Sequence, residues 1–108
     1  MKYYSFDKVL IEESNDFPDN FSGIAVNFYG DKYWYVNGEI HRIDGPAWEG
    51  YCGTKLWYKE GDLHRVDGAA VENSGGTKEW WIDNKRIFCN TNEEFKLLVD
   101  IMKLKGLI

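Results

Sequence analysis

A chain of 108 residues, 44% hydrophobic and 17% aromatic, is long enough for one domain with a modest core. Its formal charge of −5, with no cluster of Lys and Arg, excludes ordinary binding to a phosphate backbone. No apolar run approaches the length of a membrane span. Five Trp, seven Tyr and six Phe supply large rings from few positions, which suits a sheet core or a binding platform.

The first segment, KYYSFDKVLIEE (residues 2–13), reads as a strand or strand pair. It has no uninterrupted apolar run, so no secretory leader is expected and a cytoplasmic location is predicted. In that setting Cys52 and Cys89 are expected as reduced thiols. They and the two His lack paired ligand spacing, so no metal site is predicted. The acid excess gathers in EESNDFPDN (residues 12–20): residues 1–22 carry two Lys against five acids. Mimicry of nucleic acid would need a denser acidic face.

The centre of the chain is repetitive. WYVNGEIHRIDGPA (residues 34–47) returns as WYKEGDLHRVDGAA (residues 57–70), at an offset of 23. Trp34, Tyr35, Gly38, His41, Arg42, Asp44, Gly45 and Ala47 recur as Trp57, Tyr58, Gly61, His64, Arg65, Asp67, Gly68 and Ala70. The same offset reaches Trp80, Trp81 and Asn84, but Ile87 and Phe88 replace the His-Arg pair. Lead-ins GIAVNFYGDKYW, GPAWEGYCGTKLW and GAAVENSGGTKEW recur as well. About three units follow, the last diverging as a cap does.

Each unit carries strand and turn chemistry. A β-compatible stretch such as AVNFY precedes a Gly turn (Tyr29-Gly30-Asp31, Cys52-Gly53-Thr54, Gly75-Gly76-Thr77) and an aromatic strand. Asn37-Gly38 follows, a strong hairpin signal because a type I′ turn needs positive φ at both central residues. Glu60-Gly61 and Asp83-Asn84 take its place later. NSGGTK (residues 73–78) joins two strands and lacks the spacing of a phosphate-binding loop. Beyond the repeats, Thr91 and Glu94 make a capping box, and Phe95, Leu98, Val99 and Met102 fall on one helical face. With Gly106 as the stop, residues 92–105 are predicted to form a helix packed on the sheet or over its end.

The expected fold is mostly β: repeated antiparallel hairpins in three units of about 23 residues, six to eight short strands, and one C-terminal helix. It forms a single domain over residues 1–108, with an N-terminal segment (1–22), hairpin repeats (23–90) and a helical end (91–108).

These units resemble a W-Y-x-N-G-x-x-H-R-x-D-G-P-A repeat found in small proteins of bacteria, bacteriophages and large viruses, distantly MORN-like. The resemblance covers about residues 23–105. It implies no catalytic residue, and its distribution implies a phage-encoded inhibitor of a host (defence) protein, acting in the host cytoplasm. The chain departs from the pattern at Ser22 for the first Asp, Glu60 for Asn, Ala69 for Pro, and in the missing third His-Arg.

Two constellations compete as sites. His41-Arg42-x-Asp44-Gly45 and His64-Arg65-x-Asp67-Gly68 supply acid–base pairs or Arg clamps for an anion. No nucleophile, metal ligand or oxyanion group accompanies them at repeat spacing, so turn punctuation is the preferred reading. Arg42 and Asp44 share a strand face and can pair, and Asp before Gly starts a turn by accepting a backbone N–H. Trp34, Trp57 and Trp80 are predicted as a core row, with Tyr35, Tyr58 and Trp81 on the opposite face, divided between core and partner surface. The chain is thus read as a non-enzymatic protein-interaction module without catalytic residues or cofactor. His41, Arg42, His64, Arg65, Tyr35, Tyr58 and Trp81 are its candidate contact residues, and homo-oligomerisation stays open. The alternative is a small anionic-ligand or nucleotide binding or sequestering protein, with the Arg side chains meeting the anion.

Overall fold

The computed structural model describes residues 1–7, 10–13 and 20–108. Most of the acidic stretch, residues 14–19, lies outside the described residues. Strands run in the order β1 (Lys2–Tyr4), β2 (Leu10–Glu13), β3 (Gly23–Val26), β4 (Lys32–Val36), β5 (Glu39–Ile40) and β6 (Trp48–Glu49). Then come β7 (Lys55–Leu56), β8 (Tyr58–Lys59), β9 (Asp62–Leu63), β10 (Val71–Glu72), β11 (Lys78–Ile82), β12 (Lys85–Ile87) and helix α1 (Asn92–Leu104). The protein is mostly β, in antiparallel hairpins with a single C-terminal helix.

Ten strands form one sheet in the path β2-β1-β3-β4-β6-β7-β10-β11-β12, with β5 beside β4; β8 and β9 form a separate pair. The described residues hold twelve strands rather than six to eight, because β1 and β2 precede the repeats, each unit contributes three, and the second unit's aromatic strand is split into β7 and β8; in each unit that strand is shared between two partners. The start of β4 pairs with β6 (Lys32↔Glu49, Tyr33↔Trp48), and its end folds back on β5 (Tyr35↔Ile40, Val36↔Glu39). In the second unit β7 pairs with β6 and β10, while β8 folds back on β9. In the third, Lys78 and Glu79 pair with β10, and Trp80, Trp81 and Ile82 with β12.

The bends that close these hairpins are left-handed at Asn37 (φ 50°) and Gly38 (φ 81°), Glu60 (50°) and Gly61 (84°), and Asp83 (47°) and Asn84 (64°). This is the double positive φ that a type I′ turn requires.

Register places like with like. Tyr3, Ala25, Tyr33, Trp48, Leu56, Val71 and Glu79 lie opposite one another in sequence across seven strands. The neighbouring row, on the other face, reads Lys2, Val26, Lys32, Glu49, Lys55, Glu72, Lys78. Alternating signs along that row contribute roughly 0.2–1 kcal/mol per facing pair and disfavour any slip of register.

Two apolar clusters hold the strip. One joins Tyr3, Phe21 and Ala25, with Tyr33 and Tyr35 packed against them. The other joins Ala69, Trp80 and Ile82 to Phe95 and Val99 of α1, with Ile87 and Cys89 beside them. The helix begins at Thr91, whose Oγ1 accepts the Glu94 N–H at 3.1 Å. The Glu94 carboxylate reaches back to the N–H of Asn90, one residue earlier than a capping box predicts. The helix stops at Gly106 (φ 71°), where the Leu107 N–H donates to the Met102 carbonyl.

Candidate functional site

The His-Arg pair, the feature that turn grammar alone leaves unaccounted for, is consumed by the junction between units. The Arg42 guanidinium lies 4.1 Å from the centroid of the Trp34 ring. Its Nε donates to Asp44 Oδ1 at 3.0 Å, and its Nη1 donates to the Pro46 carbonyl at 3.1 Å and to Glu49 Oε1 at 3.4 Å. Arg65 repeats this: 3.9 Å over Trp57, 2.9 Å to Asp67, 3.0 Å to the Ala69 carbonyl and 3.2 Å to Glu72. Each arginine therefore clamps its own tryptophan, its own Asp-Gly bend and the first strand of the following unit.

Gly45 and Gly68 leave room for this clamp. A Cβ at Gly45 would sit 2.9 Å from Arg42 Cζ, and one at Gly68 3.0 Å from Arg65 Cζ. The Asp carboxylate, expected to accept a backbone N–H, takes the arginine Nε. That hydrogen bond, followed by the guanidinium charge, holds the Asp44 carboxyl below the usual aspartate range.

Histidine does a second job at the same junction. His41 Nδ1 accepts the N–H of Glu60 at 2.9 Å, and His64 Nδ1 accepts that of Asp83 at 3.0 Å. Each His thus meets the opening N–H of the next unit's hairpin turn, and Asp83 Oδ1 also lies 3.1 Å from His64 Nδ1. Ser22 Oγ serves the first turn, accepting from Asn37 at 2.8 Å. The adjoining carbonyls complete the series: Phe21, Ile40 and Leu63 accept from Gly38, Gly61 and Asn84. The Arg42 and Arg65 N–H groups donate to the carbonyls of Tyr58 and Trp81. The third unit has Ile87 and Phe88 where no further unit follows to be clamped, and α1 supplies the cover. Phe95 stands 6.3 Å from Trp80, and Trp80 Nε1 donates to Asn92.

The tryptophan row, expected as core, is fully buried only at Trp80; Trp34 and Trp57 are half-buried beneath their arginines. Tyr35, Tyr58 and Trp81 are half-buried too. Tyr35 packs 6.1 Å from Phe21 and 6.4 Å from Tyr33. Burial, then the neighbouring tyrosines, pushes its hydroxyl pKa up, and burial does the same for Tyr58. Trp81 Nε1 is taken by Glu79 at 3.0 Å. Among the seven candidate residues, His and Arg are thus joined at unit junctions, and the three rings lie on the opposite face.

A cluster of exposed rings lies elsewhere. Phe28 (96% exposed), Tyr29 (69%) and Tyr51 (71%) cluster at the tips of the Gly turns. Tyr29 and Tyr51 stack at 6.2 Å, and Phe28 meets Tyr29 edge-on at 5.7 Å. AVNFY reads as strand, but β3 ends at Val26 and the chain turns, with the Asn27 side chain accepting the N–H groups of Tyr29 and Asp31. The one signal available was an aromatic at the start of two successive Gly turns. Asp31 Oδ1 also accepts the Tyr51 N–H at 2.8 Å, which brings the two tips together.

Cys52 and Cys89 are both free thiols. Hydrogen bonding with Thr54 lowers the pKa of exposed Cys52, while burial, then Glu94, raises that of Cys89. Among the described residues no three His, Cys, Asp or Glu side chains gather as a metal-binding group, and no helix is long and apolar enough to cross a membrane. No protein-family model, curated protein or solved structure matches the chain.

Proposed function

We propose that this chain is a non-enzymatic protein-interaction module, and that it acts as a phage-encoded inhibitor of a host protein. The observation that carries the reading is the three-ring cluster of Phe28, Tyr29 and Tyr51, held at the surface by turn hydrogen bonds and exposed among the described residues. Rigid aromatic side chains gathered on a fixed scaffold are the commonest anchors of protein interfaces. The likeness of the repeats to the phage and bacterial W-Y-x-N-G-x-x-H-R-x-D-G-P-A proteins supports the more specific role. The reading as an anionic-ligand or nucleotide binder has less behind it. Three donor contacts of each arginine are committed within the protein, and its ring face is taken by tryptophan.

The test replaces Phe28, Tyr29 and Tyr51 together by Ser. Because the rings are exposed, the variant should melt close to the parent chain. Proteins retained from a bacterial lysate by the parent, and lost by the variant, are the expected result. Identical retention by both would remove the tip cluster as the contact.

A further inference from the structure

The sheet path ends at β12, on an edge that is filled in the first two units. There it holds the next unit's hairpin turn. The Ile40 and Leu63 carbonyls accept the N–H groups of Gly61 and Asn84, each at 2.9 Å. The Arg42 and Arg65 N–H groups donate to the carbonyls of Tyr58 and Trp81 at 3.2 and 3.1 Å. The repeat offset carries Ile40 and Leu63 to Arg86, and Arg42 and Arg65 to Phe88. Ile82 and Lys85 flank the left-handed Asp83-Asn84 turn, so Trp81 and Arg86 form a non-hydrogen-bonded pair, and the Arg86 N–H and C=O point away from β11. Among the described residues, neither the Arg86 carbonyl nor the Phe88 N–H has a hydrogen-bond partner. Helix α1 packs on Trp80 and Ile82 instead, and leaves Lys85 and Arg86 exposed and Phe88 79% exposed. The acceptor and donor that seat a turn twice within this molecule thus recur on its outer edge.

The two filled edges show what fits. Both seated turns are two residues long, have positive φ at both residues, and open on an acid: Glu60-Gly61 and Asp83-Asn84. The strands that receive them carry Glu39-Ile40 and Asp62-Leu63, where the outer edge carries Lys85-Arg86. An acidic turn set against this basic edge gains a charge attraction that the internal turns lack. A second copy of the chain fits poorly. Antiparallel pairing of two β12 strands about their middle residue sets Arg86 opposite Arg86. The chain's own three turns are already occupied, because Gly38, Gly61 and Asn84 donate to Phe21, Ile40 and Leu63. Ile87 stands where His41 and His64 accept the turn's opening N–H, so a docked turn keeps two of the three backbone bonds and binds weakly.

We propose that the outer edge of β12 docks a β-hairpin of a partner protein, its two-residue left-handed turn acidic at the first position and Gly or Asn at the second. The turn's second N–H meets the Arg86 carbonyl, and a carbonyl of its leading strand meets the Phe88 N–H. The proposal rests on the protein-interaction reading and gives it a second contact, apart from the ring cluster. The probe is a head-to-tail cyclised hairpin peptide containing Tyr-Lys-Glu-Gly-Asp-Leu, the sequence of residues 58–63, whose Gly seats on Ile40 within the chain. It is titrated to about 1 mM into the isotope-labelled full chain, with amide shifts followed by NMR. Saturable shifts centred on Arg86, Ile87 and Phe88 are expected. The same peptide methylated on the Gly nitrogen loses its donor and should bind about three- to tenfold more weakly. Phe88→Pro removes the N–H at an outer-edge position, where proline is tolerated, and should weaken binding as much, whereas Phe88→Ala keeps the N–H and should bind as the parent does. The methylated peptide tests the same contact without altering the chain. No saturable shift at these amides, undiminished binding of the methylated peptide, or tighter binding of a linear peptide of the same sequence overturns the proposal. Shifts at the same amides on concentrating the chain alone assign the edge to a second copy and overturn it too. If the edge fails while the tip variant still loses its lysate proteins, the interaction reading stands and the edge assignment falls.

Discussion

The arginines at the unit junctions are worth more to the fold than their surface position suggests. Arg42 and Arg65 are each only 22% exposed, and each combines a cation–π contact with hydrogen bonds to two carboxylates and a carbonyl. Replacing either by Ala should lower stability by roughly 2 kcal/mol, because a bent chain segment and a tryptophan face lose their shared partner together. Lys at the same place should recover little of this, since an ammonium cannot lie flat on the ring while donating sideways to the Asp. Urea denaturation of the four single variants measures both statements, and a Lys variant as stable as the parent would refute the clamp. The Asp44 carboxyl adds a pH signature. Its pKa is depressed in the folded chain, so the ionised form is the one that stabilises. That contribution is present in full above the usual aspartate range and is lost as pH falls through the lowered folded value. Asp44→Asn should therefore flatten the acid side of a plot of stability against pH, while leaving its neutral side parallel to that of the parent.

At the level of elements, the sequence was most informative where a local rule is absolute. Asn37-Gly38 demanded positive φ, and the same bend could be carried to Glu60-Gly61 and Asp83-Asn84 by the offset alone. Thr91, the apolar spacing from Phe95 and Gly106 bounded α1 to within a residue. What could not be read was anything decided by a partner in space. The division of β4 between β6 and β5 depends on which strand arrives beside it. The place of Phe28 and Tyr29 depends on an Asn27 side chain that draws the backbone into a turn. The purpose of His41 and His64 appears only once the next unit's turn stands against them. The helix makes the same point energetically. Phe95 is fully buried against Trp80 and substitutes for the arginine that the third unit lacks. Phe95→Ala should cost about 3–5 kcal/mol through the cavity left over Trp80, whereas Leu97→Ala, on the helix's exposed side, should change little. Thermal melts of the two variants compare them directly, and similar losses would mean that α1 is not the cover of the third unit.

For the molecule as a whole, these local devices amount to a rule of assembly. Each of the first two units presents on its trailing side a histidine, an arginine and a strand edge, and the unit after it presents the turn N–H, the small residues and the Glu that meet them. The junction between the second and third units reproduces that between the first and second almost atom for atom, so stability should be close to a sum of unit and junction terms. A fourth unit should then be accepted. Inserting a second copy of residues 46–68 after Gly68 recreates both junction types without a new sequence, and lengthens the sheet by another pair of strands. The enlarged chain should remain folded, with a proportionally larger strand signal by circular dichroism and a melting temperature no lower than the parent's. An insertion one residue shorter should fail, because a single-residue slip sends every charged residue of the Lys–Glu row to the aromatic face. If both insertions fold equally well, the junctions are permissive packing rather than a specified interface. If neither folds, the N-terminal strands and α1 fix the number of units, and the three-unit chain is a closed structure rather than a segment of an extendable one.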